Sequence, residues 1–339
     1  MYRWVKILSQ PLYYAIGGVA LKIIAIDIGA TNLRVALFNN TKKVDEVKER
    51  TPKDSPESLS AKIIECIESL CKKGDFDRIG IGSIGPLNLE EGTIEMAPNL
   101  GLRNVPLRNP LVNKFKKRVY IANDAMAGVW AEKVLGKGKE SNDIVYLTIS
   151  TGIGVGVIVD GNLLVGRRGN AHEMGHAVLD YTSNDICGCG GIGHWETFAG
   201  GRNIKKVALE KATVWNEERT NAYDLAVKGK LEPEKLYQLA REGDKFATYL
   251  VDQINRVHAA GIASIVAAYD PEKIFIGGSI YLYNEDLIRA SLIKYARLYS
   301  GFGVPVIEKA SFGDDQVLYG AASIAINPPK QIERFASKL

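Results

Sequence analysis

Between Glu173 and Glu196 the chain gathers two carboxylates, Glu173 and Glu196, and four groups able to ligate a metal, His176, Cys187, Cys189 and His194. Two thiolates and two imidazoles form the tetrahedral nitrogen-and-sulfur set that zinc favours in closed structural sites. The Cys-x-Cys pair stands in CGCGGIGH at 187–194, with one histidine upstream and the other five residues beyond Cys189. Glycines at 188, 190, 191 and 193 let the backbone wrap closely around an ion. Buried thiols and ordinary loop histidines are the plainer alternative, but they leave unexplained why two of the four cysteines fall in this short stretch. A four-ligand site has no open position for chemistry. The metal is therefore expected to hold the loop in shape, and the neighbouring acids become the working groups.

Three glycine-rich turns follow strand-like runs: DIGAT at 27–31, STGIGVG at 150–156 and GGS at 277–279. Successive backbone N–H groups in such turns can hold phosphate oxygens, although each turn alone also reads as a plain hairpin. Two further carboxylates stand at strand ends. Asp27 closes the first strand, and Asp124 lies at a strand-to-helix junction, where open α/β sheets place their ligands and where Asp also serves as a helix cap.

The elements that position these groups alternate between strand and helix. KIIAIDIGATNLRVALFNN from Lys22 reads as a strand, a turn at Gly29 and a second strand, and IVYLTISTGIGVGVIVDGNLL from Ile144 repeats that layout. Helical spacing marks 57–73 and most of 203–268. Buried strands are expected at 78–87, at 119–123 and in KIFIGGSI at 273–280, where the strand closes on a Gly-Gly turn, and the helices AMAGVWAEKVLG and VLYGAASIAI are expected at 125–136 and 317–326. The two similar halves suggest duplication, and the alternation gives an α/β class with mixed sheets.

A chain of 339 residues, 46% hydrophobic and 24% charged, can build two domains with separate cores. Its net charge of +4, from 43 basic and 39 acidic residues, is too slight for a nucleic-acid surface, so no nucleic-acid partner is expected. Cys66 and Cys71 lie in an amphipathic helical stretch as core filler, and the cysteine pattern points to a reducing, cytoplasmic setting rather than a disulfide framework. The first 21 residues have basic positions followed by a mildly apolar run. Gln10 and Pro11 interrupt that run, which passes directly into the first strand without room for a cleavage site, so 1–21 reads as an N-terminal extension. No stretch approaches the roughly 20 apolar residues of a membrane span.

In their order, the three turns resemble the phosphate-1, phosphate-2 and adenosine segments of the actin, heat-shock chaperone and sugar-kinase superfamily. Within it, residues 22–326 resemble the ROK family of sugar kinases and sugar-responsive repressors. DIGATNLR at 27–34, GSIGPLN at 82–88, APNL at 97–100, ANDAMAGVWAE at 122–132, NAHEMGH at 170–176, CGCGGIGHWE at 187–196 and IFIGGSI at 274–280 carry the resemblance. It implies a two-lobed actin-like ATPase (ribonuclease H-like) fold with mixed sheets and a central cleft. The division it suggests is a small α/β domain over 22–121, joined by a C-terminal helix at about 317–339, and a large domain over 122–316 with the zinc loop at 176–194.

The resemblance also implies an ATP-dependent kinase of a hexose 6-hydroxyl, with glucose first and N-acetylmannosamine, mannose, glucosamine or fructose as alternatives. ATP would be held by Asp27, Gly29, Ala30, Thr31, Asn32 and Arg34, by Thr151, Gly152 and Gly154, and by Gly277, Gly278 and Ser279. Asp27 would hold Mg²⁺ through water, and Asp124 would be the general base. Gly85, Asn99, Asn123, Asp124, Glu173, His176 and Glu196 would bind the sugar, with His176 shared between sugar and zinc. A homodimer or homotetramer is expected by the same resemblance, polyphosphate is an alternative donor, and a sugar-sensing regulator is the alternative function. Repressors of the family carry a winged helix-turn-helix of far more than 21 residues ahead of this point, so with 21 residues before Lys22 the kinase is the expectation. The chain departs from the family pattern at His194, where a third cysteine is usual, at Ser150, where glycine is common, and at His172, a glycine position here expected on the rim of the site.

Overall fold

The computed structural model describes residues 20–71, 74–97 and 100–336. Residues 1–19 of the expected extension, Asn99 of the expected sugar site and residues 337–339 lie outside the described residues. The first half runs β1 (Lys22–Ile28), β2 (Asn32–Asn39), β3 (Lys42–Arg50), α1 (Pro56–Leu70), β4 (Arg78–Ser83), β5 (Leu87–Asn88), β6 (Thr93–Ala97), β7 (Leu102–Pro106), α2 (Arg108–Phe115) and β8 (Arg118–Asn123). The second half runs α3 (Asp124–Val134), β9 (Ile144–Ile149), β10 (Ile153–Val159), β11 (Asn162–Leu163), α4 (Trp195–Ala199), α5 (Ile204–Thr213), α6 (Asn221–Val227), α7 (Pro233–Arg241) and α8 (Lys245–Tyr269). It ends with β12 (Lys273–Gly277), α9 (Ser279–Tyr299), β13 (Val306–Lys309), α10 (Gln316–Ile326) and α11 (Lys330–Glu333).

The isoleucine-rich run of β1 is buried along consecutive positions, as suits a strand covered on both faces. It pairs antiparallel with β2 and parallel with β4, giving a first sheet of order β3-β2-β1-β4-β8. The second sheet has the order β11-β10-β9-β12-β13, with β9 antiparallel to β10 and parallel to β12. The expected repetition of strand, turn and strand is therefore present in both halves. A small three-stranded sheet, β5-β6-β7, adjoins the first.

Helices α3 and α10 lie against each other, α10 on the first sheet and α3 between the two sheets, and small residues make that close approach possible. Gly80 and Gly82 of β4 face Ala321 and Val317 of α10, where any side chain would collide. Gly128 of α3 similarly admits the Tyr146 ring of β9. One apolar core joins the first sheet, α3 and α10, and a second joins the inner face of the other sheet to α4–α9. Each large aliphatic side chain buried there contributes about 1.5–3 kcal/mol. Cys66 and Cys71 are buried in the first core, as expected of filler.

Two helical expectations are refined. The segment after 316 is not one helix: α10 stops at Ile326 before Asn327-Pro328-Pro329, since proline cannot continue the hydrogen-bond ladder, and α11 restarts at Lys330. The 203–268 stretch is four helices, the longest being α8, capped by Asp244 through its bond from the Ala247 N–H at 2.9 Å. Among the described residues no helix is long and apolar enough to cross a membrane.

Candidate active site

Strand ends converge on a cleft of about 530 Å³. Its lining includes Asp27 from the end of β1, Gly29 to Asn32 from the β1–β2 turn, Arg34 of β2, Thr151 of the β9–β10 turn and Ser279 at the start of α9. Eight of the residues expected to hold nucleotide are thus brought together. Gly278 precedes α9 with φ +84°, and a Cβ there would stand 2.5 Å from the Ile149 carbonyl oxygen, so the turn requires glycine. Gly154 and Gly277 do not line the cleft. They make room for Thr148 and for the Tyr146 hydroxyl within the sheet.

The Asp27 carboxylate accepts no hydrogen bond from the described residues. Burial pushes its pKa up to about 7, with the Arg34 charge pulling the other way and Asp124 adding to the rise. An unsatisfied carboxylate facing a polar cleft fits a hard cation that takes oxygen ligands. Arg34, in contrast, is engaged by protein: Nε donates to Glu46 at 2.6 Å, Nη1 to the Asp314 carbonyl at 2.8 Å, and Nη2 to Asp315. Lys43 joins the same two acids.

Asp124 opens α3. The cap role is taken by its neighbour, because Asn123 Oδ1 accepts the Ala125 N–H at 2.9 Å. Asp124 Oδ1 also accepts that N–H, at 2.7 Å. Burial, reinforced by the Glu173 charge, raises the Asp124 pKa to about 6 despite this hydrogen bond. The Asn123 amide nitrogen stands beside Gly85, where a Cβ would come within 3.4 Å of it. These two expected sugar-binding residues therefore adjoin Asp124.

Glu173 precedes and His176 closes a single 3-10 turn, with Glu173 Oε2 3.8 Å from His176 Nε2. The other ring nitrogen, Nδ1, lies 3.6 Å from Cys187 Sγ, and His194 Nδ1 lies 3.3 Å from Cys189 Sγ. All four ligand atoms fall within 4.8 Å of one another. A tetrahedral zinc would hold such atoms about 3.3–3.8 Å apart, so the donor set and its spacing fit that ion. Trp195, between His194 and Glu196, anchors the loop: its ring packs where Gly261 of α8 lacks a side chain, and Nε1 donates to His258 Nδ1 at 3.3 Å.

Glu196 turns back to the β9–β10 turn, where Oε2 accepts the Ile153 N–H at 2.8 Å and fills the space that a side chain on Gly152 would need. His172 is not on the rim as expected. It is 1% exposed, and its Nε2 donates to the Gly169 carbonyl at 2.9 Å, because the loop folds back over the imidazole. Glu46, Lys48, Tyr283 and Asp314 also line the cleft and were not singled out in the sequence. The alternation along β3, which places residues 46 and 48 on one face, was the available signal for two of them.

Sheet wiring and cleft together define an actin-like ATPase fold of two lobes. The chain belongs to the ROK family, whose family model matches residues 23–327. It is similar to a glucokinase of Pyrobaculum calidifontis, with 42% identity over 315 residues that cover 93% of this chain and 98% of the relative. A glucokinase of Aeropyrum pernix is 38% identical over 319 residues, covering 93% and 99%. Among solved structures, a ROK family glucokinase from Streptomyces griseus in complex with glucose and AMPPNP aligns with a TM-score of 0.75 at 27% identity, covering 90% of this chain and 99% of that one.

Proposed function

We propose that this chain transfers the γ-phosphoryl group of ATP to the 6-hydroxyl of a hexose, with glucose the preferred substrate. The observation that carries the reading is Asp124: a partly buried carboxylate at the junction of β8 and α3, beside Asn123 and Gly85 and within electrostatic reach of Glu173 and Asp27. A base titrating near 6 is ionised at neutral pH yet basic enough to take a hydroxyl proton as the oxygen attacks phosphorus. The ROK family match and the glucokinase relatives support the same reaction.

In this reading Asp124 accepts the proton of the sugar 6-hydroxyl. Glu173, Glu196 and His176 receive or supply hydrogen bonds to the remaining hydroxyls, and the Asn123 amide adds a donor. Such polar groups, once covered by a bound sugar, discriminate against one lacking the matching hydroxyl, since they would be left unpaired. Asp27 would hold Mg²⁺, which neutralises phosphate charge when bound. The β1–β2 and β9–β10 turns and the start of α9 would cradle the phosphates. Zinc held by His176, Cys187, Cys189 and His194 would fix the His176 ring, with Nδ1 on the metal and Nε2 toward the sugar. Residues 22–121 with α10 would form the small domain and 122–316 the large one. The test is sugar-dependent ADP release by the wild type and its loss in Asp124→Asn.

A further inference from the structure

We propose that Lys48 is the side chain that binds the phosphoryl chain of the donor, while Arg34, the cation of the DIGATNLR motif, builds the wall of the cleft. This rests on the kinase reading given above. Asp27, Arg34 and Lys48 stand in one row across β1, β2 and β3, Asp27 opposite Arg34 and Arg34 opposite Lys48. Residues directly opposed on antiparallel strands share a face, and all three line the cleft.

The two cations of that lining differ in their engagement. Every nitrogen of Arg34 already donates to protein: to Glu46, to the Asp314 carbonyl and to Asp315. Lys43 completes the set through Glu46 at 2.7 Å and Asp315 at 2.6 Å, so two cations face two carboxylates and the group is neutral. Lys48 stands outside it, exposed and with no ion-pair partner among the described residues.

The neutral group leaves no carboxylate over to offset Lys48, whose charge stands uncompensated on the cleft wall. An anion in the cleft would supply that partner. The surrounding walls suit the phosphoryl chain of a nucleotide: the Gly29–Asn32 turn, Thr151 and Ser279 present small neutral groups, and none of them carries a cation. Lysine serves such a chain as a mobile point charge. The cation needed to offset the donor's charge is therefore Lys48.

Calorimetric titration of wild type, Lys48→Met and Lys48→Arg with Mg-AMPPNP, with Mg-tripolyphosphate and with glucose tests this. Lys48→Met is expected to weaken both phosphate probes by about tenfold, with Lys48→Arg recovering most of the loss. Glucose affinity and the melting temperature of the ligand-free protein should not fall, since Lys48 makes no contact that holds the fold. Lys48→Met binding both probes as wild type does overturns the proposal, as does a wild type that binds neither. Equal loss of glucose and phosphate binding, or a lowered melting temperature, assigns Lys48 a structural role and also overturns it. Sugar-dependent ADP release tests the kinase reading separately, and its absence leaves the tripolyphosphate result to decide the role of Lys48.

Discussion

In the first sheet β1 is flanked by antiparallel β2 and parallel β4, with β3 and β8 beyond them, and in the second β9 is flanked by antiparallel β10 and parallel β12, with β11 and β13 beyond. Their chemistry is different. The first half brings charge to the cleft through Asp27, Arg34, Glu46 and Lys48. The second offers Thr151, Ser279, Tyr283 and one acid, Asp314, but no cation, and its Gly152 yields space to Glu196. Outer strand β3 is 9 residues long and carries the charged row, whereas β11 has 2 residues and adds nothing to the cleft. The same wiring can thus serve two purposes, because the side chains at strand ends, rather than the connections, decide which half supplies the cations of the cleft and which supplies mainly neutral groups.

The largest expected effect lies where the first sheet ends. Asp124→Asn should lower kcat by about 10²–10⁴-fold with glucose affinity nearly intact, measured by steady-state kinetics and calorimetry, because the proton acceptor is lost and the shape is kept. Corresponding turns in the two halves offer a sharper contrast. Gly152→Ala would drive the Glu196 carboxylate from its bond with the Ile153 N–H and should raise KM for glucose about 10–100-fold. Gly29→Ala meets only the Asn32 carbonyl oxygen at 3.1 Å and should leave glucose KM unchanged.

If the proposed zinc orients His176, Cys187→Ser should abolish stoichiometric zinc in elemental analysis and weaken glucose binding about tenfold or more, since His176 would lose that support. The smallest effect is in pH dependence. Asp124 titrates near 6 in the folded chain, above its ordinary 3.8, so the folded state holds a proton that the unfolded chain releases. Its contribution to stability is fully present below the ordinary carboxylate range and is lost as pH rises through about 6. Activity should move the opposite way, with kcat/KM falling as pH drops through that value, while the ligand-free melting temperature of Asp124→Asn loses this part of its pH dependence.

Much of this was legible because local patterns and global wiring agree. The β-branched runs from Lys22 and Ile144 specified two hairpins, and the Cys-x-Cys spacing with two histidines brought four ligand atoms within 4.8 Å. What sequence could not give depended on register and long-range approach. Arg34 looked like a phosphate ligand, but only the return of Asp314 and Asp315, some 280 positions later, shows its guanidinium engaged by protein. Lys48 could not be placed in the cleft until the β2–β3 register set it across from Arg34. His172 was expected on the rim because a polar residue in a glycine-rich loop is usually exposed, yet the Gly169 carbonyl satisfies it inside.

The most direct test of the central claim is ADP release from Mg-ATP across a panel of hexoses and N-acetylhexosamines, with Asp124→Asn as the blank. The expected result is sugar-dependent release, greatest with glucose and lost in the variant. Release that persists undiminished in Asp124→Asn, or no release with any sugar, would contradict it.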